Sequence, residues 1–444
     1  MPQKLFHKPS PRADLLITNA QVLDPRAGID GTHDVLIRDG RIAALDAPGA
    51  LSAPSEVQTI DARGKHIFPA FVDPHVHLRS PGQEHKENLD TGTAAAAAGG
   101  FCQVIAMPNT SPVIDAVTVL RSLTTVASQQ ARVPTGFLAA ITVGLHGTDL
   151  SPMAALSDAG ALGFTDDGKP VTSSGMLRKA LQYQRLAGGV IALHEEDPAL
   201  SGAGVMHEGA VSARLGVTGV PSISESTMVA RDSAIAKYED ARMHFQHLSC
   251  VESVRALEYW REAGARVSGE ATPHHLTLTD EAVRSLDTRF KMNPPLRTEV
   301  DRQSIIEGLR SGVIACIATD HAPHARYEKE MPFEQAPMGT TGLETSFAAV
   351  YSELVKPGVL PLGLVIERMT AGGALYGLPI PTVEVDAEAN IVMVNLEATF
   401  KVGEHGYASR SENCCFHGRT LSGVIGLTVA AGAVVYENDK EVNG

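Results

Sequence analysis

The chain has 444 residues, with a formal net charge of −14, 43% hydrophobic and 20% charged residues. That acidic balance argues against non-specific binding to nucleic acid, which needs a basic surface, and no apolar run approaches the ~20 residues of a membrane span. Length and composition suit a globular protein of one large domain or two unequal ones.

The first residues, MPQKLFHKPSPR, lack the apolar core of a signal peptide. Residues 14–68 read as β structure, in short β-branched runs such as DLLITNAQVLDP and HDVLIRDGRIAALDA punctuated by Gly, Pro and Asp. The tail from about residue 384 repeats that style in NIVMVNLEATFKV and LSGVIGLTVAAGAVVYEN. The two ends, 1–67 and 381–444, are expected to form one small β-sandwich domain beside a central domain over 68–380.

In the central part, eight apolar runs alternate with helix-period segments. They are IFPAFVD (67–73), FCQVIAM (101–107), GFLAAITV (136–143), ALGFTD (161–166), VIALH (190–194), MHFQHL (243–248), ARVSGEA (265–271) and VIACIATD (313–320). Each precedes a plausible helix, for example SSGMLRKALQYQRLA or CVESVRALEYWREAG. Strand alternating with helix implies a parallel sheet, and eight such units imply a (β/α)8 barrel with its active site at the C-terminal ends of the strands. Reactive residues do gather where the runs stop: His75 and His77, Asn109, Asp166 and Asp167, His194, His247 and Asp320. The cysteines Cys102, Cys250, Cys316, Cys414 and Cys415 are an odd, sparse set that reads as reduced thiols in a cytoplasm.

Alternate residues of a strand point to one side, so H-x-H offers two imidazoles to one ion. Alone that is a weak signal. With His194, His247 and Asp320 at three other strand ends it becomes a set able to hold two divalent ions, with Asp166 or Asp167 as a bridge. A metal ion lowers the pKa of bound water to about 7, so no Ser or Cys nucleophile is required. Neither a Gly-rich phosphate loop nor a dinucleotide fingerprint is present; GTTG at 339–342 signals only a flexible loop.

DPHVHLR and ATDHAPHARYEK resemble the two signature stretches of dihydroorotases, within the amidohydrolase superfamily, and MPNT, FTDDG, KMNPPLR and HEGAVSARLGVTGVP resemble further segments of that family. The resemblance implies two zinc ions per subunit: His75, His77 and Asp320 on one, His194 and His247 on the other. Asp167 would be preferred over Asp166 as the bridge. It also implies that Arg79 grips a substrate carboxylate with Asn109 and His324, that Asn293 contacts the ring, and that Met338 and Gly339, in the long loop 326–345, give backbone contacts. His77 would face the substrate as well. The implied activity is reversible cyclisation of N-carbamoyl-L-aspartate to L-dihydroorotate in pyrimidine biosynthesis, by metal-bound hydroxide attack on a ring amide with Asp320 as general base and acid. Sister cyclic amidases (hydantoinase, allantoinase) and a non-catalytic scaffold for aspartate transcarbamoylase are the alternatives; a homodimer, and a complex with transcarbamoylase, are further expectations from relatives.

Ser80 stands where many relatives carry Glu, and being outside the ligand scheme it is expected to do little harm. Lys169 reads as an exposed loop lysine rather than a carboxylated bridge, His274 and His275 as structural or as supports behind the metal ligands, and His207 as structural.

Overall fold

In the computed structural model, which describes residues 4–52, 54–55 and 57–442, the chain ends build one eight-stranded mixed sheet. Its order is Ala433–Glu437, Thr420–Ala430, Ile391–Lys401, His66–Pro69, Leu15–Asp24, Ile29–Arg38 and Arg41–Asp46, with Gln58–Asp61 also parallel to Leu15–Asp24. A bulge lies between Ile17 and Ala20, where Asn19 takes a φ of 59°. The extra residue passes the inward set from Leu15 and Ile17 to Ala20 and Val22, so the strand keeps one face on the core despite the break in alternation. The expected sandwich thus takes the form of a single sheet with a core of its own, including Val35, Ile37, Ile67, Ile391 and Val429. Residues 1–3, 53, 56, 443 and 444 of the expected small-domain segments lie outside the described residues.

The barrel is present, and each of the eight apolar runs overlaps one of its strands. Phe71–Val76, Phe101–Ala106 and Thr135–Phe137 pair in parallel. Phe164–Thr165, Ile191–Leu193, Met243–Phe245, Val267–Ala271 and Cys316–Ile317 form a second parallel set. Single bridges between Ala139 and Phe164 and between Val76 and His321 join the sets into a ring. Helices such as Ser174–Ala187 and Val251–Glu262 cover the outside, so the strands are buried on both faces and read as continuous apolar runs.

That continuity hides one boundary. The first run is two strands: His66–Pro69 pairs with Ile391–Val394 in the small sheet, and the barrel begins at Phe71. The expected boundary between 67 and 68 cuts the first of them. Both segments are buried, so nothing in the pattern marks the change of partner. A second departure bears on function. Between Ile391–Lys401 and Thr420–Ala430 the chain leaves the sheet, and Cys414, Cys415 and Phe416 pack with Met206, Leu278 and Phe333. The C-terminal segment therefore walls the barrel as well as completing the sheet. Among the described residues no helix is long and apolar enough to cross a membrane, and all five cysteines are buried and unpaired with one another.

Candidate active site

The strand Phe71–Val76 delivers His75 and His77 to one side at its C-terminal end, both buried. Asp73, two residues earlier, fastens this strand to the eighth: it accepts from the Thr319 backbone N–H at 3.1 Å, the Thr319 hydroxyl at 2.5 Å and the His75 N–H at 3.1 Å. Asp320, just beyond Thr319, is thereby set opposite the two imidazoles. Its Oδ1 lies 3.0 Å from Nε2 of His77 and 3.5 Å from Nε2 of His75. Asp320 itself has a φ of 47°, a conformation that needs such fastening in a residue with a side chain.

Asp167 is the centre of the cluster. Its oxygens lie 3.5 Å from His75 Nε2, 3.4 Å from His77 Nε2, 3.9 Å from His194 Nδ1 and 3.8 Å from His247 Nε2. His194 Nδ1 and His247 Nε2 face each other at 3.0 Å. The neighbouring Asp166 turns the other way: it accepts from the backbone N–H groups of Ile141 at 2.8 Å and Thr142 at 3.0 Å, and from the Thr142 hydroxyl. Lys169 is exposed.

The donor set fits divalent metal. Ligand atoms of His75, His77 and Asp320, and again of His75, Asp167 and His247, lie within 4.8 Å of one another. His75 Nε2 is fully buried without a hydrogen-bond partner. Burial alone would drive the His75 imidazole toward neutrality, yet Glu270, Asp320 and Asp167 push its pKa well above the ordinary value. Burial likewise opposes ionisation of Asp167 and Asp320, and the surrounding imidazoles override it and hold both carboxyls well below the usual range. A dry pocket whose carboxylates stay charged calls for positive charge.

Three of the four rings have an anchor on the nitrogen that faces away from the cluster. His77 Nδ1 is 2.9 Å from the Asn109 side-chain oxygen, whose amide nitrogen donates to Asp167 Oδ2 at 3.1 Å. His75 Nδ1 donates to Glu270 at 2.7 Å, and His194 Nε2 lies 3.3 Å from Glu196. Glu196 also accepts from the Asn293 amide at 2.7 Å, and His194 with Asn293 holds its carboxyl at about 2 against the effect of burial. Asn109 and Asn293, expected at the substrate, thus have their carboxamides on candidate ligands and on Glu196. His275 bridges Thr272 and the Pro294 carbonyl, next to Asn293.

Arg79 is buried beyond the first histidine pair, with a φ of 57°. Its Nε donates to the Pro323 carbonyl at 3.1 Å, and no carboxylate among the described residues pairs with its guanidinium. Beside it, His324 is pulled down to about 2 by burial and by Arg79, Lys329 and Lys86, and so is a neutral ring. Its Nε2 donates to the Met338 carbonyl at 2.8 Å and its Nδ1 is buried without a partner. Ser80 lines an outer groove with Leu123 and Val126.

The 326–345 loop is tied down. Buried Lys329 donates to the carbonyls of Pro337 at 2.9 Å and Gly339 at 3.0 Å, and Asn413, from the C-terminal segment, donates to Gly339 and Ala322 while accepting from the His324 N–H. The Gly339 N–H is spent on the Lys291 carbonyl at 2.9 Å, so of the two expected backbone contacts this donor is engaged internally. Gly339 has a φ of 134°, and a Cβ there would meet Ala322 at 2.8 Å.

Glu270, Glu196 and Asn413 escaped the reading of the sequence. Two carried a signal: Glu196 stands in H-x-E register with His194, and Glu270 is an acid inside an apolar strand, which must find a partner when buried.

A family model described as Dihydro-orotase-like matches residues 64–253. The chain is 43% identical over 432 residues to the dihydroorotase of Anaeromyxobacter dehalogenans, covering 96% of this chain and 98% of that one. Identity is again 43%, over 425 residues, with the dihydroorotase of Pelotomaculum thermopropionicum, covering 96% and 99%. Among solved structures it resembles the L-hydantoinase (dihydropyrimidinase) of Arthrobacter aurescens, with a TM-score of 0.85 and 25% identity over 96% of each chain. A dihydropyrimidinase from Brevibacillus agri, at 22% identity and a TM-score of 0.82 over 96% and 95%, shares the fold. With 43% identity to these relatives over 96% of its length, and a cluster of imidazoles and carboxylates at the barrel mouth, the chain belongs to the dihydroorotase family.

Proposed function

We propose that this protein is a dihydroorotase, interconverting N-carbamoyl-L-aspartate and L-dihydroorotate in pyrimidine biosynthesis. The observation that carries the reading is Arg79, a buried guanidinium with no carboxylate partner among the described residues, placed beside the cluster of four imidazoles and two aspartates. Dihydroorotate brings the missing carboxylate, and a guanidinium can bind it with two parallel hydrogen bonds. His324, neutral and with a free ring nitrogen, supports the same pocket.

Two zinc ions per subunit suit the donor set, with His75, His77 and Asp320 holding one, His194 and His247 the other, and Asp167 between them. Bound there, they would acidify water and polarise the ring carbonyl, which supplies a nucleophile that the buried cysteines do not offer. Asp320, ionised in spite of its burial, is the proton acceptor in ring opening and returns the proton to the departing ring nitrogen; in ring closure it takes a proton from the carbamoyl nitrogen. Ring opening creates a second carboxylate and releases a proton, so higher pH favours it. Asn109 acts through His77 and Asp167, and Asn293 through Glu196, at the edge of the substrate position.

Side-by-side turnover of dihydroorotate, dihydrouracil, hydantoin and allantoin tests the reading. Turnover of the neutral rings without dihydroorotate would transfer the chain to the hydantoinase type, a reading favoured only by the shared fold. The complete set of candidate ligands argues against a non-catalytic scaffold, and metal analysis of the purified protein tests that. A homodimer, association with aspartate transcarbamoylase and a cytoplasmic location, to which five buried thiols are suited, complete the proposal. Sedimentation of the chain alone and with transcarbamoylase tests the first two.

A further inference from the structure

We propose that Glu270 is a positioning residue that ties the two halves of the metal site together, one buried carboxylate fixing the ring of His75 and the backbone of His247 at once. It lies near the end of the barrel strand Val267–Ala271, beneath the cluster. Its Oε1 accepts from His75 Nδ1 at 2.7 Å and from the His247 backbone N–H at 3.3 Å. Its Oε2 accepts from His244 Nε2 at 3.0 Å, and His244 Nδ1 in turn meets the Ser268 hydroxyl at 2.8 Å. His75 and His244 are 0% exposed and Glu270 is 1% exposed.

Two consequences follow from that chain of bonds. The first is a fixed tautomer. A carboxylate only accepts, so the neutral His75 ring, the form that ligates a metal, carries its proton on Nδ1 and turns the lone pair of Nε2 toward Asp167 and Asp320, where this buried nitrogen has no hydrogen-bond partner. The Gln246 amide nitrogen, 3.3 Å from the same Nδ1 and 3.2 Å from the Met107 sulfur, is itself a donor and cannot replace the carboxylate. The second concerns His247. Its Nδ1 is buried with no partner, so its ring lacks the anchor that the other three imidazoles have. Its backbone has a φ of 31°, sparsely populated for a residue with a side chain, and its N–H is held by the Glu270 carboxylate between the flanking backbone bonds of Gln246 and Leu248.

Ligand atoms of His244, Glu270 and Cys316 also lie within 4.8 Å of one another, a grouping that could itself hold an ion. The anchoring role accounts for it better. Both Glu270 oxygens are already engaged by N–H groups, and burial pushes the Cys316 thiol well above its ordinary range, keeping it protonated.

The inference rests on the metal reading of the site and is independent of the substrate. Apoprotein is titrated with Zn2+ against a chromophoric chelator, and the visible bands of the Co2+-loaded protein report ligand geometry. Glu270→Gln is expected to weaken both ions by about 10- to 100-fold and to shift the Co2+ bands, whereas Glu196→Gln, which alters the carboxylate beside His194 alone of the four imidazoles, weakens one. If Glu270→Gln does not fold, His244→Phe and His244→Gln decide. The first keeps a ring without the donor to Oε2 and should weaken both ions; the second restores a donor and should recover affinity. Wild-type affinity for both ions in folded Glu270→Gln, or in folded His244→Phe, overturns the assignment. Failure of the wild-type chain to bind zinc would instead overturn the metal reading on which it rests.

Discussion

Replacing Arg79 with methionine removes the guanidinium while keeping a long side chain in its buried place. Among the described residues the guanidinium Nη groups have no carboxylate, and the Nε bond to the Pro323 carbonyl is the side-chain hydrogen bond that the substitution removes. Two charge-assisted hydrogen bonds to the substrate carboxylate are worth about 1.5–3 kcal/mol each. Their sum, at ~1.36 kcal/mol per tenfold, predicts a fall in kcat/KM for dihydroorotate of roughly two to four powers of ten. Dihydrouracil, the same ring without the carboxylate, should lose less than about tenfold, because the deleted bonds do not exist for it. Bound zinc should stay at the wild-type level, since Arg79 is outside the donor cluster. The assay is initial-rate ring opening on both rings, with metal content measured on the same samples. Equal losses on the two rings, or loss of metal with the arginine, would refute the assignment of Arg79 to the carboxylate.

The paired aspartates should separate cleanly: Asp167→Asn lowers bound zinc, while Asp166→Ala retains it and lowers unfolding stability by about 1–3 kcal/mol through loss of the bonds to Ile141 and Thr142, as read by metal analysis and urea denaturation. Lys329→Met removes the bonds to the carbonyls of Pro337 and Gly339 and should raise KM for dihydroorotate with metal content intact, since the loop that carries Met338 loses two of its ties. His207 accepts from Arg297 and, by burial and that guanidinium, is pulled from 6.5 to about 4. Its contribution is therefore whole above about pH 6.5 and is lost as pH falls toward about 4, when the unfolded chain takes up the proton first. About 1–2 kcal/mol should disappear between about pH 7.5 and about pH 5, and His207→Gln should flatten that part of the urea-midpoint profile.

What the sequence made legible was whatever depends on burial pattern and strand register. Eight apolar runs located eight barrel strands because strands covered on both faces leave no polar alternation to confuse the count. H-x-H gave His75 and His77 because alternate residues share a face. The choice between Asp166 and Asp167 could not be read from pattern alone. Both follow a two-residue strand, and only the approach of Thr142 shows which carboxylate is drawn away. Glu270 reaches His75 across 195 positions, and Asn413 arrives from the far end of the chain to hold Gly339 and His324. Such bonds are set by how the barrel closes and where the C-terminal segment lies, and no local periodicity encodes them. The same holds for the Gly339 N–H, whose partner Lys291 sits in a different loop.

A protein of net charge −14 that takes up an anion must resolve a conflict, and the site shows how. Four ionised carboxylates touch the imidazole cluster, Asp167, Asp320, Glu270 and Glu196, and Arg79 lies nearby with no carboxylate partner among the described residues. With neutral imidazoles such a site would repel a carboxylate. The raised pKa of His75 is the imprint of that excess negative field. Two divalent ions would turn the balance from about three negative charges to about one positive, while the field of the distant surface is screened beyond roughly 8 Å at physiological ionic strength. Arg79 then completes a local sign that the rest of the molecule opposes. On this reasoning Arg79 and the ions are not separable functions: the carboxylates that hold the metals would, without them, cancel the attraction that the arginine offers the substrate.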